Sequence, residues 1–285
     1  MISKPRITTR LGQPTKHQEI LRLLSSNNLI HQNLDWLSPE ELLKQYPCHI
    51  GIDNEEIVGV LSIPREDTQV AWVRLAASCD YKNSIDIMNL LWNRVKHTLQ
   101  KQEIDCVYAL STNDWSEILL NSWNYKTVSE LVALRRKHKS VPINTQSLAY
   151  IRQATYSDLS EIISVDNIAF HTTWQYSSFM LKIALQKAKY ATVALVNNSC
   201  IGYLLAIMDA NVPFIARLAV SPEYQQHGIG RALVVNMLEY YKDAKCPVAE
   251  VVTQNDNYAS IKLYQSLGFQ LIGQVAHIRA YNFNK

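Results

Sequence analysis

At 285 residues the chain is long for one ordinary α/β unit and comfortable for two of roughly 140 each. Apolar residues make up 47% and charged residues 19%, which excludes disorder on composition, and a net charge of +3 from 28 basic and 25 acidic residues lacks the bias of a dedicated nucleic-acid binder. No apolar stretch approaches the ~18 residues of a membrane span, and the five cysteines show neither a Cys-x-x-Cys pair nor a histidine at metal spacing, so they read as reduced thiols of a cytoplasmic protein without a metal.

The first half opens with a strand-like run, Ile7 to Leu11, and helical periodicity from near Thr15. Two β-branched runs follow, Cys48 to Asp53 and Glu56 to Ile63, straddling the polar pair Asn54-Glu55, which predicts an antiparallel hairpin. After Arg74-Leu-Ala76 come a helix, a strand, a second helix and a last strand. The only basic run, Arg135 to Lys139, reads as a solvated domain end. Lys137 to Leu148 mixes charge, Val-Pro, Asn, Thr and Ser, as a linker does.

The second half repeats the order. Tyr150 to Ala154 reads as a strand, helical periodicity begins near Ser157, and Ala191–Val196 with Cys200–Met208 straddle Asn197-Asn-Ser199. Ile57-Val-Gly59 and Cys200-Ile-Gly202 lie 143 positions apart, as do Arg74-Leu-Ala76 and Arg217-Leu-Ala219. The domains are therefore placed at 1–137 and 149–285, with a linker at 138–148.

The copies part at one loop. Gln225-Gln-His-Gly-Ile-Gly230 joins an apolar strand to a helix whose expected buried face is Ile229, Ala232, Leu233, Asn236, Met237 and Tyr240. Gly228 and Gly230 let the turn point several backbone N–H groups into one concavity at a helix start, where a pyrophosphate fits. The first half has Cys79-Asp-Tyr-Lys-Asn-Ser-Ile85 instead, with no glycine and with an acidic Asp80 that repels phosphate.

That loop, Gln225-x-x-Gly228-x-Gly230 after Leu218-Ala-Val-Ser-Pro222, and a later run with Asn257, Ser260, Leu263, Tyr264, Gly268 and Phe269 resemble the two motifs of the GNAT superfamily of N-acetyltransferases, in order and spacing. Ser260 stands in the family's alanine place. The resemblance covers residues of about 150 to 285. It implies a mixed, mostly antiparallel twisted α/β sheet flanked by helices. With the repeat, two tandem GNAT-like domains are expected, the first degenerate: Leu120 stands at the tyrosine place and Asn124 at the Gly268 place.

The resemblance implies an acetyl-CoA site in the second half. Gln225, Gln226, His227, Gly228, Ile229, Gly230, Arg231 and Ala232 meet the phosphates, while Leu218, Ala219 and Val220 meet the pantetheine arm along a strand that splays from its neighbour. Asn257 and Ser260 contact the arm or fix their loop. Tyr264 is the candidate acid, because a phenol keeps its proton at neutral pH and gives it to a developing thiolate. The base is less defined. A glutamate that one branch of the family carries five residues before the motif asparagine is Val252 here, and Glu250, on the same strand face, is the candidate. Asp209, His171 and a water chain are further routes. Trp174 and Tyr176 lie where the family lines its acceptor pocket, and either stack on substrate or anchor helices. The implied function is direct acetyl transfer to a primary amine, a small metabolite or a protein N-terminus, with a non-catalytic acyl-CoA-binding module as the alternative.

Overall fold

The computed structural model describes residues 7–25, 29–65, 69–79, 82–137, 140–143, 147–243 and 246–283. They form two compact units, one of residues 1–129 with 276–285 and one of residues 130–275, so no single cut in the chain divides them. Asp80 and part of the expected linker lie outside the described residues. None of the described helices is long and apolar enough to cross a membrane.

Unit 1 contains β1 (Thr8–Leu11), α1 (His17–Ser25), β2 (Ile30–Gln32), α2 (Pro39–Gln45), β3 (His49–Asp53), β4 (Glu56–Ser62), β5 (Val70–Trp72), β6 (Leu75–Ser78), α3 (Ser84–Lys101), β7 (Cys106–Ser111) and α4 (Asp114–Ser122). Its strands run in the order β1-β3-β4-β6-β2. β5 pairs parallel to β7, and β7 pairs antiparallel to His277–Asn282. α2 starts at Ser38, whose hydroxyl accepts from Glu41 N at 3.2 Å while Glu41 reaches back to Ser38 N at 2.7 Å. The core holds Leu61, Ile87, Leu91, Trp92, Trp123 and Tyr125, with Trp92 and Trp123 stacked at 5.1 Å.

Lys126–Lys137 (β8) starts in unit 1 and from Glu130 belongs to unit 2, where it pairs antiparallel to β13 (Val248–Gln254). Unit 2 continues with β9 (Tyr150–Gln153), α5 (Leu159–Ala169), α6 (Ser178–Lys187), β10 (Tyr190–Val196), β11 (Ser199–Asp209), β12 (Val212–Val220) and α7 (Ile229–Asp243). After β13 come α8 (Tyr258–Ser266) and β14 (Gln270–Asn282), whose end from Ala276 belongs to unit 1. The strand order in unit 2 is β8-β13-β12-β11-β10-β9. Apart from β2, which has no strand counterpart, and the division of β5 from β6, the element order of the first half recurs in the second.

Both hairpins form where the polar turns place them. Asn54 and Glu55 take φ of 46° and 68°, and Asn197 and Asn198 take 50° and 66°, the left-handed pairs that close two-residue turns with the right twist. The basic run differs from expectation. Arg135 Nε donates to Glu250 Oε1 at 2.5 Å, and Arg136, 4% exposed, donates to the Leu267 carbonyl at 2.8 Å at the end of α8. As part of a strand, these side chains alternate between faces, so one of each neighbouring pair must point inward. Tyr240 also departs from its expected face, being 54% exposed, because Val234, Val235, Leu238 and Tyr241 turn the buried side of α7 away from it.

Cys48, Cys106 and Cys200 are buried, and burial pushes the thiols of Cys48 and Cys200 up to about 11, where they stay protonated and pack as small apolar groups.

Candidate active site

The site in unit 2 starts with an irregularity in β12. Leu205 opposes Arg217 but Ala206 opposes Ile215, so Ala216 is the extra residue of a β-bulge. Beyond it the strand leaves β13. The parallel ladder between them consists of Phe214 with Glu250 and Ile215 with Val251. From Arg217 to Val220 the β13-facing edge has no ladder partner among the described residues, so its backbone polar groups, apart from the Val220 carbonyl that Gln225 engages, are open to a ligand. Leu218 and Val220 pack toward the core under α7, and Ala219 is buried.

The chain then makes a short turn at Pro222–Tyr224 and enters α7 through two left-handed residues, Gln226 at φ 63° and Gly228 at φ 77°. No atom lies within 4 Å of a Cβ built on Gly228, so glycine answers to the backbone angle and to open space rather than to packing. The first helical bond runs from Ala232 N to Gly228 O at 2.9 Å. The six N–H groups of Gln226 to Arg231 have no protein acceptor among the described residues. They sit at the positive end of a helix of 15 residues, which favours an anion.

The side chains around the loop divide. Ile229 and Ala232 are each 1% exposed and contribute their backbone, whereas Gln225, Gln226 and His227 are exposed. Gln225 Nε2 donates to the Val220 carbonyl at 3.0 Å, and His227 Nδ1 lies 2.8 Å from the Gln225 carbonyl, so both brace the loop. Arg231 turns toward the end of α8, 3.2 Å from Ser266 Oγ. Gly230 sits against α8, where a Cβ would lie 3.4 Å from Leu263 Cδ2.

Tyr264 lies on the buried side of α8, 4% exposed, with its ring 5.4 Å from that of Phe269. Burial pushes its phenol well above the usual tyrosine range, so the hydroxyl keeps its proton at neutral pH. Asn257 is the N-cap of α8: its Oδ1 accepts from Ser260 N at 3.2 Å. Glu250 and Val252 share one face of β13, opposite the buried Ala249, Val251 and Thr253. One oxygen of Glu250 is held by Arg135, as above. Asp209 is exposed at the end of β11, and His171 Nδ1 is engaged by Thr173 Oγ1 at 3.1 Å.

A buried network that motif reading did not single out lies beside the open edge. Arg217 Nε and Nη2 each donate at 2.8 Å to the two oxygens of Asp166 on α5, and Nη2 also donates to the Trp174 carbonyl at 2.7 Å. Tyr203 Oη donates to Asp166, and Tyr176 N donates to its Oδ2 at 3.1 Å. The guanidinium lies 3.8 Å from the ring centroids of both Phe170 and Tyr176. Desolvation disfavours the charge on Arg217, but Tyr203, Tyr176 and Asp166 outweigh it and hold the cation. Phe170, Trp174 and Tyr176 are thus fixed around one strand residue. The available signal was an arginine inside an apolar strand, repeated as Arg74.

Unit 1 repeats the splayed pair without the open edge. β5 pairs parallel to β7 at Val70–Cys106, Ala71–Val107 and Trp72–Tyr108. The edge of β6 that corresponds to Leu218–Ser221 is covered by β2, with Ile30 opposite Ala77, His31 opposite Ala76 and Gln32 opposite Leu75. Asn33 N to Arg74 O at 2.9 Å and Ser78 N to Leu29 O at 3.1 Å extend the cover. His31 is 2% exposed, lies 3.1 Å from the Val73 carbonyl, and is lowered to about 4 by burial.

Residues 154–269 match the model of the Acetyltransferase (GNAT) family. N-alpha-acetyltransferase 30 of Xenopus laevis is 25% identical over 138 residues, 46% of this chain and 50% of the relative. Mycothiol acetyltransferase of Nocardiopsis dassonvillei is 41% identical over 54 residues, 19% of this chain and 16% of the relative. The chain therefore spans half or less of these curated relatives. A solved tandem GNAT protein from the clavulanic acid biosynthesis pathway aligns over 97% of this chain and 98% of its own, with a TM-score of 0.65 at 11% identity, a likeness of fold.

Proposed function

We propose, from the match of residues 154–269 to the GNAT acetyltransferase family, that unit 2 moves an acetyl group from acetyl-CoA directly to a primary amine. The observation that carries it is the coincidence of a strand edge without a ladder partner, Arg217–Val220, with six N–H groups at the start of α7 that have no protein acceptor among the described residues. The residues fit the cosubstrate: anionic phosphates suit Gln226–Arg231, and the pantetheine amides suit the edge of β12 as an added strand would. A backbone N–H near Ala219 or Val220 polarises the thioester carbonyl. The amine attacks that carbonyl, the C–S bond breaks, and Tyr264 protonates the departing thiolate. Glu250 remains the proposed base, through its second oxygen, which has no protein partner among the described residues. Asn257, Ser260 and the side chains of Gln225 and His227 shape the site by holding its loops.

Unit 1, with β2 on the corresponding edge, binds no acetyl-CoA in this reading, so one molecule binds per chain. Both a protein N-terminus and a small amine enter the acceptor panel, since the relatives include one acetyltransferase named for each class.

The test is thiol release from acetyl-CoA with a panel of amines and N-terminal peptides, in the wild type and in Tyr264→Phe. General acid catalysis predicts that the variant loses ~10²–10⁴ in kcat with acetyl-CoA affinity nearly unchanged. A full-rate variant shows that the thiolate takes its proton elsewhere. Acetyl-CoA binding with no thiol release for any amine favours the non-catalytic alternative, toward which the Arg135–Glu250 pairing points.

A further inference from the structure

Away from the open edge, unit 2 contains a second concavity between β10 and the middle of α7, of about 310 Å³. Asn236 and Tyr240 lie seven and eleven residues into α7 from Ile229, roughly 10–16 Å along the axis from the phosphate loop at 1.5 Å per residue. The size suits a small metabolite and not a molecule as large as acetyl-CoA.

Its lining is polar in a specific way. Tyr190 Oη donates to Asn236 Oδ1 at 2.5 Å, which occupies the acceptor of that amide and leaves its NH₂ group without a protein partner among the described residues. Beside it, Thr192 is 4% exposed, and its Oγ1 lies within reach of the Tyr190 hydroxyl but makes no hydrogen bond of good geometry among the described residues. A buried hydroxyl left unpaired is costly, and a ligand that pairs with it recovers the loss. The rings of Tyr190 and Tyr240 lie 5.0 Å apart and form an aromatic wall. Lys189 and Glu239 line it as well, beside Gln153 and Ala191, and no ion pair joins the two charged residues to each other or to any described residue. Two opposite charges left unpaired on one pocket match a ligand carrying both charges itself.

We propose that this pocket binds a free α-amino acid, with its carboxylate toward Lys189 and the Asn236 amide, its ammonium toward Glu239 and the Thr192 hydroxyl, and its side chain against the tyrosines. The site is independent of the acetyl-transfer reading. Saturation-transfer NMR and calorimetry on the full chain, with the proteinogenic amino acids and their deaminated and amidated analogues, test it. Saturable binding is expected for the zwitterion and is weakened at least about tenfold by Thr192→Val, which preserves volume. Glu239→Gln, at an exposed position, weakens the amino acid by a similar factor while sparing the deaminated carboxylate; Lys189→Met spares the amidated cation. Absence of saturable binding by every amino acid overturns the proposal. So does binding that neither Thr192→Val nor Glu239→Gln alters, since the ligand then sits elsewhere.

Discussion

Unit 1 and unit 2 build the same splayed pair of parallel strands and then treat the opened edge differently. Among the described residues, the edge of Arg217–Val220 in unit 2 has no strand partner and leads into six N–H groups without a protein acceptor, whereas in unit 1 β2 lies along the matching edge of β6. A splayed sheet edge carries backbone donors and acceptors that something must satisfy. Where the chain supplies its own strand, there is no backbone left to recruit a ligand. Two erosions therefore coincide in unit 1, a covered edge and a loop, 79–85, without glycine.

The sharpest way to break the comparison is Gly228→Glu. At φ 77° the backbone disfavours any L side chain, and a carboxylate then stands among the donors proposed to meet phosphate. Acetyl-CoA affinity is expected to fall on the order of a hundredfold or more, read by calorimetry. Because unit 1 holds no second site in this account, binding should vanish rather than halve; a residual stoichiometric site would mean that β2 does not exclude the cosubstrate.

The buried arginines give the next contrast. Asp166, with its side chain fully buried, balances Arg217, whereas Asp35, 18% exposed, faces Arg74. Asp166→Ala leaves a buried cation without its counterion and is expected to cost about 3–5 kcal/mol in chemical denaturation. Asp35→Ala should cost less: the Arg74 side chain is as buried as that of Arg217, 5% against 7% exposed, but Asp35 sits nearer solvent, so water can enter the space it leaves. Equal losses would show that water does not enter beside Arg74 when Asp35 is removed. The Asp166 network also fixes the segment from Phe170 to Tyr176, so the milder Tyr176→Leu should raise acceptor KM more than acetyl-CoA KM if that segment lines the acceptor mouth.

Acid probes the strand that covers β6. Burial lowers His31 to about 4 from 6.5, so the unfolded chain takes up a proton that the folded unit refuses. Stability from this group is complete above about pH 6.5 and is lost as pH falls toward 4, by about 3 kcal/mol for the whole shift. Urea midpoints at pH 7 and pH 4.5 should therefore separate, and His31→Gln, which retains a donor for the Val73 carbonyl, should narrow the gap. An unchanged gap would place the acid sensitivity elsewhere.

What was legible in the sequence is local. Asn54-Glu55 and Asn197-Asn198 announce their turns as short polar breaks led by asparagine, which tolerates left-handed angles, and the glycine loop announces a helix start because few other sequences make that bend. β2 was not legible: Ile30–Gln32 is three residues long and exists as a strand only because β6 offers it an edge. Nor were the bonds joining Asp166 to Arg217, 51 positions apart, or the division of β8 and β14 between units, since a final strand's apolar pattern does not say which edge it joins.

The smallest effect tests whether the two copies share a helix end despite different residues. Gly268 and Asn124 follow α8 and α4 at matching positions, with φ of 86° and 60°. Both are left-handed, and asparagine is the side chain that tolerates that region best after glycine. Asn124→Gly should therefore leave unit 1 within about 0.5 kcal/mol of its starting stability, because easier backbone geometry is offset by greater freedom in the unfolded chain. Alanine has no such tolerance, and Gly268→Ala is expected to destabilise by about 1 kcal/mol. Since Tyr264 receives two bonds at its carbonyl from this turn, Leu267 N and Phe269 N at 3.0 Å each, the Gly268 change should also lower kcat modestly by shifting the end of α8. Calorimetric melting of both variants, read beside thiol release, decides the matter: a large loss from Asn124→Gly would mean that the asparagine side chain holds the turn by contacts of its own, and the two helix ends would then be alike in angle only.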